Sequence, residues 1–278
     1  MSNPTAGQLV RRLATAFAIS FALLTGSLLT NYATKQLPLL SARGVPTGIM
    51  VEYMLMAVPF TAAMTIPMSV LVAVLWVFTR LGKDGTLATA RSERHGIRRL
   101  VTPLLRAAAV VAAVTLVMND QILPRANARL ATLQSGVATH ERGDREMTIW
   151  ELRAAARTAR ANDGRDGLVR AVSLEVEMQK KLALAAACVV LALAGVALAL
   201  LNPSGGVALV IVASWLVFPV YYVGLIAGEA LADRLLVSPF VAMWSANALL
   251  LAPTLLILWW RSRPPRAPRR TEPVPVAG

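Results

Sequence analysis

Residues 181–229 read KLALAAACVVLALAGVALALLNPSGGVALVIVASWLVFPVYYVGLIAGE, and between the terminal Lys181 and Glu229 there is no Asp, Glu, Lys, Arg or His. Only NPSGG, residues 202–206, interrupts the apolar run. As a single helix the uncharged stretch would be roughly 70 Å long at 1.5 Å per residue, about twice the hydrocarbon core of a bilayer. It therefore crosses, turns and crosses back. Pro203 removes a backbone donor and Gly205-Gly206 permit left-handed dihedrals, which suits a tight helical hairpin at the membrane surface. The stretch identifies a polytopic membrane protein.

Composition agrees. The 278 residues are 56% hydrophobic and 15% charged, with a mean hydropathy of +0.58, far from soluble averages. Cys188 is the one cysteine, so no internal disulfide forms, and its place in an apolar run reads as a small helix-packing residue. Long uncharged runs give six expected spans, at about 10–32, 51–79, 101–122, 182–201, 207–230 and 236–260. The first follows Arg11-Arg12 but has no small-x-small cleavage site before Asn31, so it reads as a retained helix. Pro59 and Pro67 are expected to bend the second. Arg106, one turn inside the third, can snorkel to the surface.

Six spans put both termini on one side, and the distribution of Lys and Arg selects the cytoplasm. The termini and the loop 80–99 carry Arg11, Arg12, Arg80, Lys83, Arg91, Arg94, Arg98, Arg99, Arg261, Arg263, Arg266, Arg269 and Arg270, whereas the opposite short segments hold only Lys35, Arg43 and Arg234. The longer segment 123–181 is nearly balanced in charge, so the net +13 is mainly cytoplasmic and fits anionic lipid heads. Nucleic-acid binding is the rival reading of a basic chain. With no aromatic-basic interleaving and no separate soluble domain, no nucleic-acid partner is expected.

The chain thus divides into residues 1–122, three spans with the loop 80–99; 123–181, a segment on the side opposite the termini; 182–260, three further spans; and 261–278, a basic, Pro-rich tail read as disordered. Within the second, MTIWELRAAARTAR (147–160) predicts a short helix with Thr148 as N-cap, Glu151 closing a capping box and Asn162-Asp163-Gly164 as the stop. No alternating strands are visible. The fold class expected is an all-α membrane protein of six transmembrane helices.

Searches for chemistry find no Walker A loop, nucleophile elbow or HExxH helix, so neither catalytic residues nor a cofactor are expected. His95 and His140 fall on opposite sides of the membrane and cannot share a metal. Glu52, Glu229 and Asp233 stand near outer span ends, and Glu229 with Asp233 forms an i,i+4 pair suited either to solvation at the interface or to proton or ligand coupling.

The order VEMQKKLAL, then YYVGLIAGEALADRLLVSPFVAMWSANALLL, resembles the C-terminal half of the LptF/LptG permeases, membrane subunits of the lipopolysaccharide-export ABC transporter. Its landmarks are Glu177 with Lys181, Tyr221-Tyr222, Gly228-Glu229, Pro239, Trp244 and Asn247. The N-terminal half is similar too, through Pro59 and Pro67, TRLGKD, Pro103 and ILPRANARL. The resemblance implies a cell inner-membrane protein that pairs with a second permease subunit, alike or paralogous, around a central cavity. Such a pair takes an anionic lipid or lipopolysaccharide from the outer leaflet while cytoplasmic ABC ATPases close. The family inserts a periplasmic β-jellyroll between spans three and four; here ILPRANARLATLQ is followed almost at once by MTIWELRAAARTAR, a short form without it.

The same resemblance makes loop 80–99 the coupling segment for the ATPase, with Arg80, Asp84, Thr86 and Arg91 at the contact. Thr86 stands where the family usually has an acid, and Gly96 comes later than expected, which implies an altered contact. Spans one and five would form the lateral gate through small residues, Ala22 and Gly26 on one, Gly224, Leu225 and Gly228 on the other. Lys35 and Arg43 would meet lipid head groups at the outer rim. The alternative is a non-transporting scaffold or assembly factor derived from such a permease.

Overall fold

The computed structural model describes residues 5–42, 44–93, 96–135, 143–162 and 164–261. Among them there are nine α-helices and no strand. They are α1 (Ala6–Ala42), α2 (Thr47–Lys83), α3 (Thr86–Ser92), α4 (Gly96–Val117), α5 (Leu123–Ser135), α6 (Ile149–Ala161), α7 (Arg165–Leu201), α8 (Gly206–Asp233) and α9 (Pro239–Arg261). A π turn, Met118–Ile122, joins α4 to α5 without a break, and a 3-10 turn, Asp144–Glu146, precedes α6. Six helical runs are long and apolar enough to cross a membrane: α1, α2, α4 through α5, α7, α8 and α9. These are the six expected spans, and the protein is an all-α membrane protein.

Burial sorts the six into a centre and a rim. The most apolar stretches of α2 and α7 are 78% and 72% buried, whereas those of the other four reach at most 33%. Leu71, Leu75, Ala187 and Leu191 meet at the heart of the centre, all at or near zero exposure. Small side chains dominate α7, and Gly195 sits so close to Val74 of α2 that a methyl group there would collide. Close backbone approach replaces water-driven burial as the source of packing energy in lipid.

A line of hydroxyls fastens α1 to α2. Ser20 donates to the Ser69 carbonyl at 3.2 Å, the Thr25 and Thr65 hydroxyls meet at 2.7 Å, and the stacked rings of Tyr32 and Tyr53 share a hydrogen bond of 2.8 Å. Along a dry helix pair each satisfies a group that lipid cannot.

Contacts also sort the two ends of the bundle. At one, the turn end, Gly82 packs on Pro203, Lys83 lies against Gly206, and Arg261 donates to the Leu201 carbonyl at 3.3 Å. The start of α1 meets α3 and α4 there, with Leu9 beside Ala90, Gly96 and Pro103. The first and last described residues therefore share this end with the 202–205 turn and α3. At the other, the hairpin end, α6 folds back antiparallel on the first part of α7, burying Leu152, Ala156 and Ala159 against Ala171 and Leu174.

Helix α6 begins as the capping box requires: Thr148 accepts from the Glu151 N–H, and the Glu151 carboxylate takes the Thr148 N–H at 2.7 Å. Asn162 follows its last residue, while Asp163 lies outside the described residues. Helix α2 runs unbroken through Pro59 and Pro67. Two helices outlast the hydropathy that revealed them. Helix α1 continues past residue 32 to Ala42, and span three extends through the π turn into α5, which packs on α2.

Candidate functional site

The hairpin end is built from charge pairs. Lys180 on α7 reaches Glu229 on α8 at 2.7 Å and Glu177, one turn earlier on its own helix, at 3.1 Å. Arg145 meets Glu177 at 3.2 Å, and Arg170 and Ser173 hold Asp144. Asp144, Arg145, Arg170, Ser173, Glu177 and Glu229 line, with Asp233, an open polar cavity of about 1000 Å³. Glu229 and Asp233 thus lie on one wall, as their spacing implied, and Glu229 is paired rather than merely solvated. Glu52, the third acid of that group, meets Arg129 of α5 at 2.6 Å.

Lys181 turns the other way. Its side chain is 6% exposed; the ammonium donates to the Met147 carbonyl at 2.5 Å and lies 4.0 Å from Asp120. Asp120 accepts the Ile149 N–H at 2.6 Å and the Gln121 amide at 2.8 Å. One carboxylate at the end of span three and one ammonium at the start of span four thus clasp the base of α6. The sequence pointed to Lys181 only through a family landmark, and nothing in its pattern pointed to Asp120.

On α1, Ala22 and Gly26 face outward, and Gly26 has nothing within 4 Å of where a side chain would stand. Lys35 is exposed, inside the extended α1 rather than after it. Arg43 lies outside the described residues. On α8 the expected positions turn inward: Gly224 packs on Ala246 and Gly228 on the Ala242 backbone, both in α9, and Leu225 belongs to the core. The outward residues of that stretch are Val223 and Ile226, each 63% exposed.

At the turn end, Arg80 is exposed in the last turn of α2, and Asp84 caps that helix through its N–H to the Arg80 carbonyl at 3.0 Å. Thr86 opens α3, whose first turn holds no acid, and Leu87 and Ala90 bury its inner face. Arg91 belongs to α3, but its side chain lies outside the described residues. Gly96 stands against the Ala90 carbonyl, where no side chain fits, so the start of α4 lies close against α3. His95 and His140 lie outside the described residues, and among the described ones no cluster suits a metal ion.

The family model described as Lipopolysaccharide export system permease LptF/LptG matches this chain in two segments, residues 8–144 and 134–261. A comparison with curated proteins finds no match.

Proposed function

The chain belongs to the LptF/LptG family of lipopolysaccharide export permeases, and on that premise we propose that it is one transmembrane subunit of an ABC-type lipid exporter. It pairs with a second permease subunit, alike or paralogous. Together they draw an anionic, lipopolysaccharide-like lipid from the outer leaflet of the inner membrane while a cytoplasmic ATPase binds at α3. Both termini and the 202–205 turn are cytoplasmic, which places α6 and the hairpin end in the periplasm and follows the excess of Lys and Arg at the turn end.

The observation that carries this reading is the mismatch between centre and rim. Helices α1 and α8 flank α2 yet leave wide apolar faces uncovered, with Leu23, Val223 and Ile226 all more than 60% exposed. Such faces call for lipid or a second subunit. Lys35, exposed beyond them, supplies a cation for phosphate heads, with Arg43 as its expected neighbour in sequence.

Photo-crosslinkers at Ala22 and Ile226 test the path. Capture of lipid there, reduced severalfold by Lys35→Glu with Arg43→Glu and well above that of lipid-facing controls on α9, is the expected result; equal capture at all positions overturns it. A second reading, a scaffold that no longer transports, is favoured by one observation, the missing acid at the start of α3. Failure of the tagged protein to retain any ATPase in mild detergent would select it.

A further inference from the structure

Two cavities of different chemistry lie along the seam between α2 and α8, which we read as the two parts of one groove. At the turn end, a cavity of about 270 Å³ is lined by Trp76, Thr79, Arg80, Lys83, Gly206 and Val207. Deeper in the bundle, an apolar cleft of about 400 Å³ lies between Leu24, Met68, Val72, Trp215, Phe218 and their neighbours. The parts are in register: Met68, Val72, Trp76, Arg80 and Lys83 follow one another at helical spacing along α2, and Val207, Ile211, Trp215 and Phe218 do so along α8. Val72 lies about 16 Å from Lys83 along the helix, close to the depth of one leaflet's hydrocarbon, about 15 Å. The groove closes at its inner end, where the Tyr222 hydroxyl donates to the Met64 carbonyl at 2.5 Å and its ring meets Phe218.

The polar part gathers positive charge without a partner for it. Arg80 and Lys83 line it, and no Asp or Glu does among the described residues. The Lys83 ammonium lies against Gly206, at φ +54, where any side chain would displace it. No side chain caps the start of α8, so its first N–H groups and the positive end of its dipole face the same space. The last turn of α2 welcomes these cations; the start of α8 repels them unless an anion lies between. The rim residues Trp76 and Val207 are themselves exposed and apolar, as at a membrane interface.

We infer that this groove is a binding site for an anionic phospholipid of the leaflet at the turn end, with its phosphate between Arg80, Lys83 and the start of α8 and an acyl chain along Val72 and Trp215. On α8 the Tyr222 contact stands between this site and Ile226 of the proposed export path; on α1 the cleft residue Leu24 lies between Ala22 and Gly26. The site holds whether or not the protein transports. The order of the parts, anion site first and apolar cleft one leaflet deep, selects a lipid over a free phosphate.

Native mass spectrometry of the full chain, released from nanodiscs of mixed phosphatidylglycerol and phosphatidylcholine, reads the site directly. The wild-type chain retains phosphatidylglycerol preferentially. Arg80→Gln with Lys83→Gln lowers that retention at least fivefold, whereas Arg11→Gln with Arg12→Gln, an equal charge change on α1, leaves it within twofold. Gly206→Val, which leaves the net charge unchanged and displaces Lys83, lowers it as well. Melting curves confirm that each variant is folded. Equal retention by the first variant and its control overturns the inference. So does release of the lipid by millimolar inorganic phosphate as readily as by short-chain phosphatidylglycerol, which would reduce the site to a simple anion pocket.

Discussion

Lys180 on α7 and Glu229 on α8 meet at 2.7 Å, with side chains 15% and 29% exposed, and the same ammonium also holds Glu177. The central helix and a rim helix are therefore tied at the hairpin end by one cation shared between two carboxylates. Lys180→Ala leaves Glu229 without its cation and Glu177 with Arg145 alone, and is expected to destabilise the detergent-solubilised protein by about 1–3 kcal/mol. Glu229→Gln is expected to cost less, since Lys180 keeps Glu177. A melting series with the double variant checks the order; an equal loss from both single variants would show that Glu177 contributes nothing.

The clasp at Lys181 makes a local prediction. Lys181→Met removes the donor to the Met147 carbonyl, and Asp120→Asn weakens the charge-assisted bond to the Ile149 N–H. Hydrogen exchange across residues 147–161 is expected to speed up at least tenfold in either variant, while the middle of α7 stays protected. Unchanged exchange in α6 would mean that its packing on Ala171 and Leu174 suffices alone.

Glycines divide by what surrounds them. Gly228→Val drives a side chain into the Ala242 backbone and is expected to lose about 1–3 kcal/mol or the folded protein altogether. Gly26→Val meets open space and is expected to leave monodispersity on size exclusion unchanged. Equal damage from both would contradict the packing of α8 on α9.

Hydroxyl pairs inside membranes contribute about 0.6 kcal/mol each on average. Thr25→Val with Thr65→Val is therefore expected to show a coupling energy of that order in a double-mutant cycle read by thermal melting. A coupling indistinguishable from zero would leave α1 held to α2 by packing alone.

Orientation is tested by cysteines in a Cys188→Ser background. Arg165→Cys, at the hairpin tip, is expected to react with an impermeant thiol reagent from outside, and Ser204→Cys, in the turn, only after permeabilisation. Both positions are exposed. Reversed labelling would overturn the cytoplasmic placement of α3.

The spans were legible because lipid forbids unpaired charge, so gaps between charged residues mark crossings; the capping box of α6 was legible because two residues three positions apart, Thr148 and Glu151, carry it. The extensions of α1 and α5 were not, since their residues are polar or mixed and α5 is held by a contact distant in sequence, Arg129 with Glu52. The small residues of α8 announced a close approach without saying to what. Their partner is α9 of the same chain, and only the fold reveals which face of a uniformly apolar helix turns inward.

Helix α7 is one unbroken rod from Arg165 to Leu201. Its first part, about 24 Å at 1.5 Å per residue, stands beyond Lys181, so a tilt of about 10° at that point carries Arg165 sideways by about 4 Å. Because α6 is clasped at its base and packed along its length, it must travel with the rod. The bundle thus carries a mechanical pointer: small rearrangements among the long apolar helices are read out, enlarged, at a tip about 24 Å beyond Lys181.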